Sequence, residues 1–80
     1  MMPLSMVTEG KEVKIHYVDC GRGLRARLCD LGLYENSKVK VIKNDISGPL
    51  ILKIKDSKII LGRGQAHKIM AKVIMEGENE

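Results

Sequence analysis

From Lys11 to Val18 apolar and polar residues alternate, with Val13, Ile15 and Tyr17 on one phase and Lys14 and His16 on the other, which is the period of a half-buried strand. Asp19-Cys20-Gly21-Arg22-Gly23 breaks that period. The next stretch is helical in its spacing. Leu24, Leu28 and Leu31 recur at i, i+4 and i+7, while Arg25, Arg27 and Asp30 fall on other phases, and Gly32 follows as the terminator. Lys38 to Lys43, Leu50 to Lys55 and Lys58 to Leu61 are short, Val- and Ile-rich segments that predict three further strands. Only Asp56-Ser57 separates the last two, so a tight hairpin joins them. After Gly62-Arg63-Gly64, residues Gln65 to Ile69 fit one helical turn with Ala66 and Ile69 inward, and Met70 to Ile74 reads as a closing strand. At the start, Pro3 and Gly10 punctuate Leu4, Met6 and Val7, predicting a short docked turn or single helical turn.

The pattern is mainly β: about five strands, one short amphipathic helix and one or two helical turns, packed as a small barrel or a two-sheet sandwich. The expected core is Val13, Ile15, Leu28, Leu31, Val39, Val41, Leu52, Ile54, Leu61, Ile69 and Val73, each on the apolar phase of its element. With 80 residues there is material for a single domain, placed at 1–75, and the acid-rich 76–80 reads as a disordered tail. That core is aliphatic, because the chain has two Tyr and neither Phe nor Trp. Its longest apolar runs fall far short of the roughly 20 residues that a membrane helix needs.

Charge narrows the classes of partner. Over residues 1–75 fourteen basic residues stand against seven acids, a balance of +7, and such a surface attracts acidic partners of several kinds. The near absence of aromatic residues disfavours single-stranded nucleic acid, whose bases stack on such rings. The four arginines are segregated from the lysines: Arg22, Arg25, Arg27 and Arg63 belong to the two helical segments, and the lysines lie mostly on strands. Arginine suits planar, multi-donor contacts, whereas strand lysines keep sheet edges soluble. A docking face on Arg22, Arg25 and Arg27 with the adjoining Leu33 and Tyr34 is therefore expected. The competing reading leaves those arginines solvated, with Arg27 pairing Asp30 and Tyr34 folded onto the core, and moves the interface to Arg63 and His67.

No catalytic or cofactor-binding residues can be named. Cys20, Cys29, His16 and His67 are the only soft or imidazole ligands, and they lack the paired CxxC or HxxxH spacing of a metal site, so no metal is assigned. Gly21-Arg22-Gly23 lacks the Gly-Lys-Ser/Thr ending of a phosphate-binding loop. None of the serines or cysteines has a context that would place a base beside it. Two cysteines without a secretory leader read as reduced thiols in the cytoplasm.

The run Leu24-Arg25-Ala26-Arg27-Leu28-Cys29-Asp30-Leu31-Gly32-Leu33, then Gly48-Pro49-Leu50 and Ile59-Ile60-Leu61-Gly62-Arg63-Gly64-Gln65-Ala66-His67-Lys68-Ile69, resembles the FeoA family of small cytosolic accessory proteins of ferrous-iron uptake. The likeness extends from about Pro3 to Ile74 in the same order of elements. It implies an SH3-like barrel, without enzymatic activity or cofactor, that docks onto the cytosolic part of the FeoB permease and meets the membrane only through it. Two other readings remain: a basic barrel that binds nucleic acid, and a stand-alone relative of the SH3-like domain of iron-dependent repressors. Self-association is left open. Where the family usually has a Pro-Gly turn, this chain has Glu35-Asn36, so Asn36 is expected in the left-handed conformation.

Overall fold

Strand β2 (Glu12–Val18) shows how the chain turns its alternation into a curved sheet. Val13 and Ile15 are buried, as their phase requires, but Tyr17 is not. The register to the last strand steps from Ile15 opposite Ala71 to Tyr17 opposite Met70, so a β-bulge inserts one extra residue. The inward phase therefore shifts to Val18, and Tyr17 faces solvent. This corrects its placement with Val13 and Ile15.

The computed structural model describes residues 1–18 and 21–74. Over these the order is β1 (Met2–Pro3), a 3-10 turn (Leu4–Met6), β2, α1 (Arg22–Asp30), β3 (Lys38–Asn44), β4 (Leu50–Ile54), β5 (Ser57–Leu61), α2 (Arg63–Ala66) and β6 (Ile69–Val73). The strands form one antiparallel sheet in the order β1-β6-β2-β3-β4-β5. That is one strand more than expected, because a two-residue segment has too short a pattern to read. The two-residue hairpin loop is present but falls on Lys55-Asp56, with Ile54 opposite Ser57. A second bulge, between Val41 and Lys43, bends β3 against β4.

A single sheet surrounds one aliphatic cluster only by curling about it, and the two bulges supply bend and twist. The inward residues of five strands, from Val13 on β2 to Ala71 on β6, meet Leu4 and Val7 from the N-terminal turn, Leu28 from α1 and Ala66 from α2 in that cluster. Of the expected core, Leu31 is exposed and Val73 only half-buried at the end of β6, while the other nine are buried.

The end of α1 explains Leu31. The helix stops in a Schellman motif: Gly32 N donates to Cys29 O at 3.0 Å and Leu33 N donates to Leu28 O at 2.8 Å. Reversal at Gly32 (φ 95°) carries Leu33 back over Leu28, so Leu33 takes the inward place and Leu31 stays outside as the cap residue. A Cβ on Gly32 would lie 3.1 Å from Ile54 Cγ2, and the conformation itself is unfavourable for other residues. Gly32→Ala is expected to cost about 1–2 kcal/mol of stability, read as a lower urea midpoint at unchanged slope.

Candidate functional site

The turn after α1 builds one wall of a surface cleft. Asn36 has φ 74°, the left-handed conformation expected of it, and its N–H donates to Ile15 O at 2.7 Å. Ile15 N donates to Ser37 O at 2.9 Å, and the Ser37 hydroxyl donates to Tyr34 O at 2.8 Å. Segment 34–37 is thus stitched to β2, which fixes Tyr34 beside the bulged end of that strand. From the other side Arg25 Nη2 donates to Val18 O at 3.0 Å, tying α1 to the same strand end.

Between these ties runs a cleft of about 320 Å³ lined by Tyr17, Arg25, Cys29, Tyr34 and Glu35, with Val18 and Leu33 beneath them. Tyr17 and Tyr34 are 47% and 45% exposed, so both aromatic rings of the chain project at one place. His16 meets Tyr17 edge-on, with ring centroids 5.7 Å apart. The arrangement offers two half-exposed phenols, a guanidinium and a carboxylate around an apolar floor.

Of the residues expected on the docking face, Arg25 and Tyr34 are brought together here. Arg22 and Arg27 are exposed elsewhere on α1, and no ion pair joins Arg27 to Asp30 among the described residues. Leu33 is fully buried: it supports the cleft from within and offers no side chain to a partner. Tyr17 was missed because strict alternation buries it, and only the bulge, which leaves no clear trace in the residue pattern, brings it out.

Arg63 has a different role from the other arginines. It donates from Nε to Gly48 O at 3.3 Å, from Nη1 to Ser5 O at 3.2 Å, and from Nη2 to Asn44 Oδ1 at 2.6 Å and to Asp45 O. Asn44 in turn donates to Ser5 O and Val7 O. Arg63 therefore clamps the N-terminal turn, the end of β3 and the β3–β4 loop together, which removes most of its donors from any interface. His67 Nδ1 lies 3.2 Å from Ser5 Oγ on the same side.

Cys29 is an exposed free thiol on α1, and Cys20 and the acidic segment 76–80 lie outside the described residues. Among the described residues no three His, Cys, Asp or Glu side chains converge as metal ligands, and no helix is long and apolar enough to cross a membrane.

A single curled antiparallel sheet, capped by one short helix and carrying a surface cleft beside it, defines a small SH3-like β domain. The chain belongs to the FeoA domain family, whose model matches residues 2–73. A protein of Methanocaldococcus jannaschii named "Putative Fe(2+) transport protein A" is 44% identical over 81 residues, covering 100% of this chain and 98% of that one. A crystal structure of an iron uptake regulatory protein (FeoA) superposes with a TM-score of 0.87 at 23% identity, over 91% of this chain and 97% of that chain. A Stenotrophomonas maltophilia FeoA, described as a prokaryotic SH3 domain protein complexed with zinc, gives 0.77 at 18% identity over 90% and 91% of the two chains. At those identities the two structures establish the fold.

Proposed function

We propose that this chain is a non-enzymatic accessory protein of ferrous-iron uptake that works in the cytoplasm by docking onto a FeoB-type permease. The observation that supports this reading most is the meeting of Tyr17, Arg25 and Tyr34 around one cleft. Tyrosine and arginine dominate the energetic centres of protein interfaces, and here both of the chain's aromatic rings stand half in water. A domain this small does not leave its only aromatics outside its core for the sake of packing. The cleft, rimmed by the exposed Tyr17, Arg25 and Tyr34, has room for a protruding side chain or loop of a partner.

Arg25 and Glu35 at the rim would set orientation and association rate more than affinity. The experiment is a pull-down from the native membrane fraction with mass spectrometry of the retained proteins. Recovery of a permease that carries a GTP-binding domain is the expected result. Recovery of only soluble proteins, or of the permease equally well by a variant with both tyrosines replaced, would remove the reading.

A further inference from the structure

The outer face of β3, β4 and β5 carries an arrangement that docking at the tyrosine cleft does not use. Strand pairing sets Lys40 opposite Lys53 and Lys53 opposite Lys58, so three exposed lysines form one row across three strands. Adjacent strands lie about 4.8 Å apart, and like charges directly opposite one another destabilise a sheet. At the β2 edge of the row Glu12 stands opposite Lys40, but Lys53 and Lys58 have only lysine opposite them, and among the described residues no ion pair reaches any of the three: the one ion pair is Lys43 with Asp45, 3.8 Å apart and itself exposed. A free sheet face gains nothing from such a row.

Two residues further along the same strands the chemistry changes. Ile51 pairs with Ile60 on the same outward phase, with Lys43 of β3 on the other side of Ile51, and Ile60 is 71% exposed. Beyond them the β3–β4 loop carries Ile46, 92% exposed, the most solvent-exposed large apolar side chain of the described residues. A row of lysines thus stands about 7 Å behind a row and a tip of isoleucine, from the rise of an extended chain.

We infer that this face is a membrane-contact surface, on which Ile46 and Ile60 enter the boundary of an anionic bilayer while Lys40, Lys53 and Lys58 meet its phosphates. Interfacial binding combines apolar side chains buried some 5–10 Å deep with basic residues at headgroup level, and the spacing of the two rows matches that depth. Nucleic acid would leave the isoleucines without a role; a single aromatic ring, Tyr34, borders the lysines, and Arg63 beside Ile46 has its donors engaged within the fold. A second copy laid face to face would bring like charges together. The surface makes membrane association direct, where the family resemblance alone implied only contact through the permease. It adjoins the tyrosine cleft at Tyr34, which also borders Lys40 and Lys53, but does not depend on docking there.

The test is co-sedimentation of the full chain with vesicles that contain no protein, so its outcome is independent of the permease. On phosphatidylcholine vesicles holding about 30% phosphatidylglycerol, binding is expected, and it should fall steeply between low and high salt. Pure phosphatidylcholine should retain little. Lys53→Gln with Lys58→Gln should weaken binding to the anionic vesicles about 25-fold, from roughly five-fold per lysine. Ile60→Ser should weaken it by a factor that salt does not change. The inference is overturned by equal binding to neutral and anionic vesicles, by no binding to either, or by variants that bind as the parent does. It is equally overturned if a DNA duplex binds more tightly than the anionic vesicles, or if the isoleucine face is covered in a dimer that Ile60→Ser dissolves.

Discussion

Arg63→Ala is expected to lower the unfolding free energy by about 2.5 kcal/mol, a fall of roughly 10–20 °C in Tm for a domain of this size. One side chain supplies four hydrogen bonds to acceptors on three separate segments: the N-terminal turn, the end of β3 and the β3–β4 loop. Hydrogen bonds from a charged donor are worth about 1.5–3 kcal/mol each when a buried partner is left behind. The sum is smaller than four such terms, because the site is only part-buried. Water can reach Asp45 O, and Ser5 O keeps its bond from Asn44 Nδ2. The N-terminal turn should loosen first, since Leu4 and Val7 reach the core from a segment then held by Asn44's bonds to Ser5 O and Val7 O and by the two-residue strand β1. Arg63→Lys keeps the charge but reaches one or two acceptors from a single point, so it should recover less than half of the loss. Urea unfolding of the three proteins decides the matter. A loss below about 0.5 kcal/mol, within the range of ordinary surface changes, would show that the clamp is dispensable.

Under the proposed docking, Tyr17→Ala combined with Tyr34→Ala is expected to weaken association with the cytosolic part of a FeoB-type permease by about 3 kcal/mol, more than 100-fold in Kd. Both rings are half-exposed, and no side-chain hydrogen bond of either is seen among the described residues. The fold should therefore lose less than about 1 kcal/mol, and circular dichroism should be unchanged. Arg25→Glu is the charge-reversing companion. It should slow association and change its salt dependence, though the loss of the bond from Arg25 to Val18 O adds a small cost to the fold. Calorimetric titration of parent and variants against the soluble part of the permease reads both quantities. A doubly substituted protein that stays folded and binds as tightly as the parent would move the interface off this cleft.

These two expectations differ in how far they were legible in the residues. Hydrophobic periodicity is a local signal, and where the backbone stayed regular it was sufficient. Val39 and Val41 on β3, Leu52 and Ile54 on β4, Leu61 on β5 and Ile69 on β6 are buried on the phase their spacing assigns. Turn chemistry is local as well: Gly32 and Asn36 both adopt the positive φ their positions called for. The family could be recognised from residues alone for the same reason, since its motifs are contiguous runs.

What the chain pattern could not carry was anything that depends on partners distant in sequence. A bulge is an irregularity between two strands, and the one between Ile15 and Tyr17 exists only in the pairing of β2 with β6, so Tyr17 leaves the core without a mark in its own neighbourhood. The Schellman reversal exchanges Leu31 for Leu33 because the chain must come back over Leu28, which is a demand of packing rather than of helical spacing. Arg63 resembled the other arginines until the loop at Gly48 and the turn at Ser5 were folded around it, 15 and 58 residues away along the chain. The lysine row formed by Lys40, Lys53 and Lys58 is likewise a product of register. Composition determines that the surface is basic, but only the alignment of β3, β4 and β5 sets those charges side by side, because strand pairing joins residues that no local period relates.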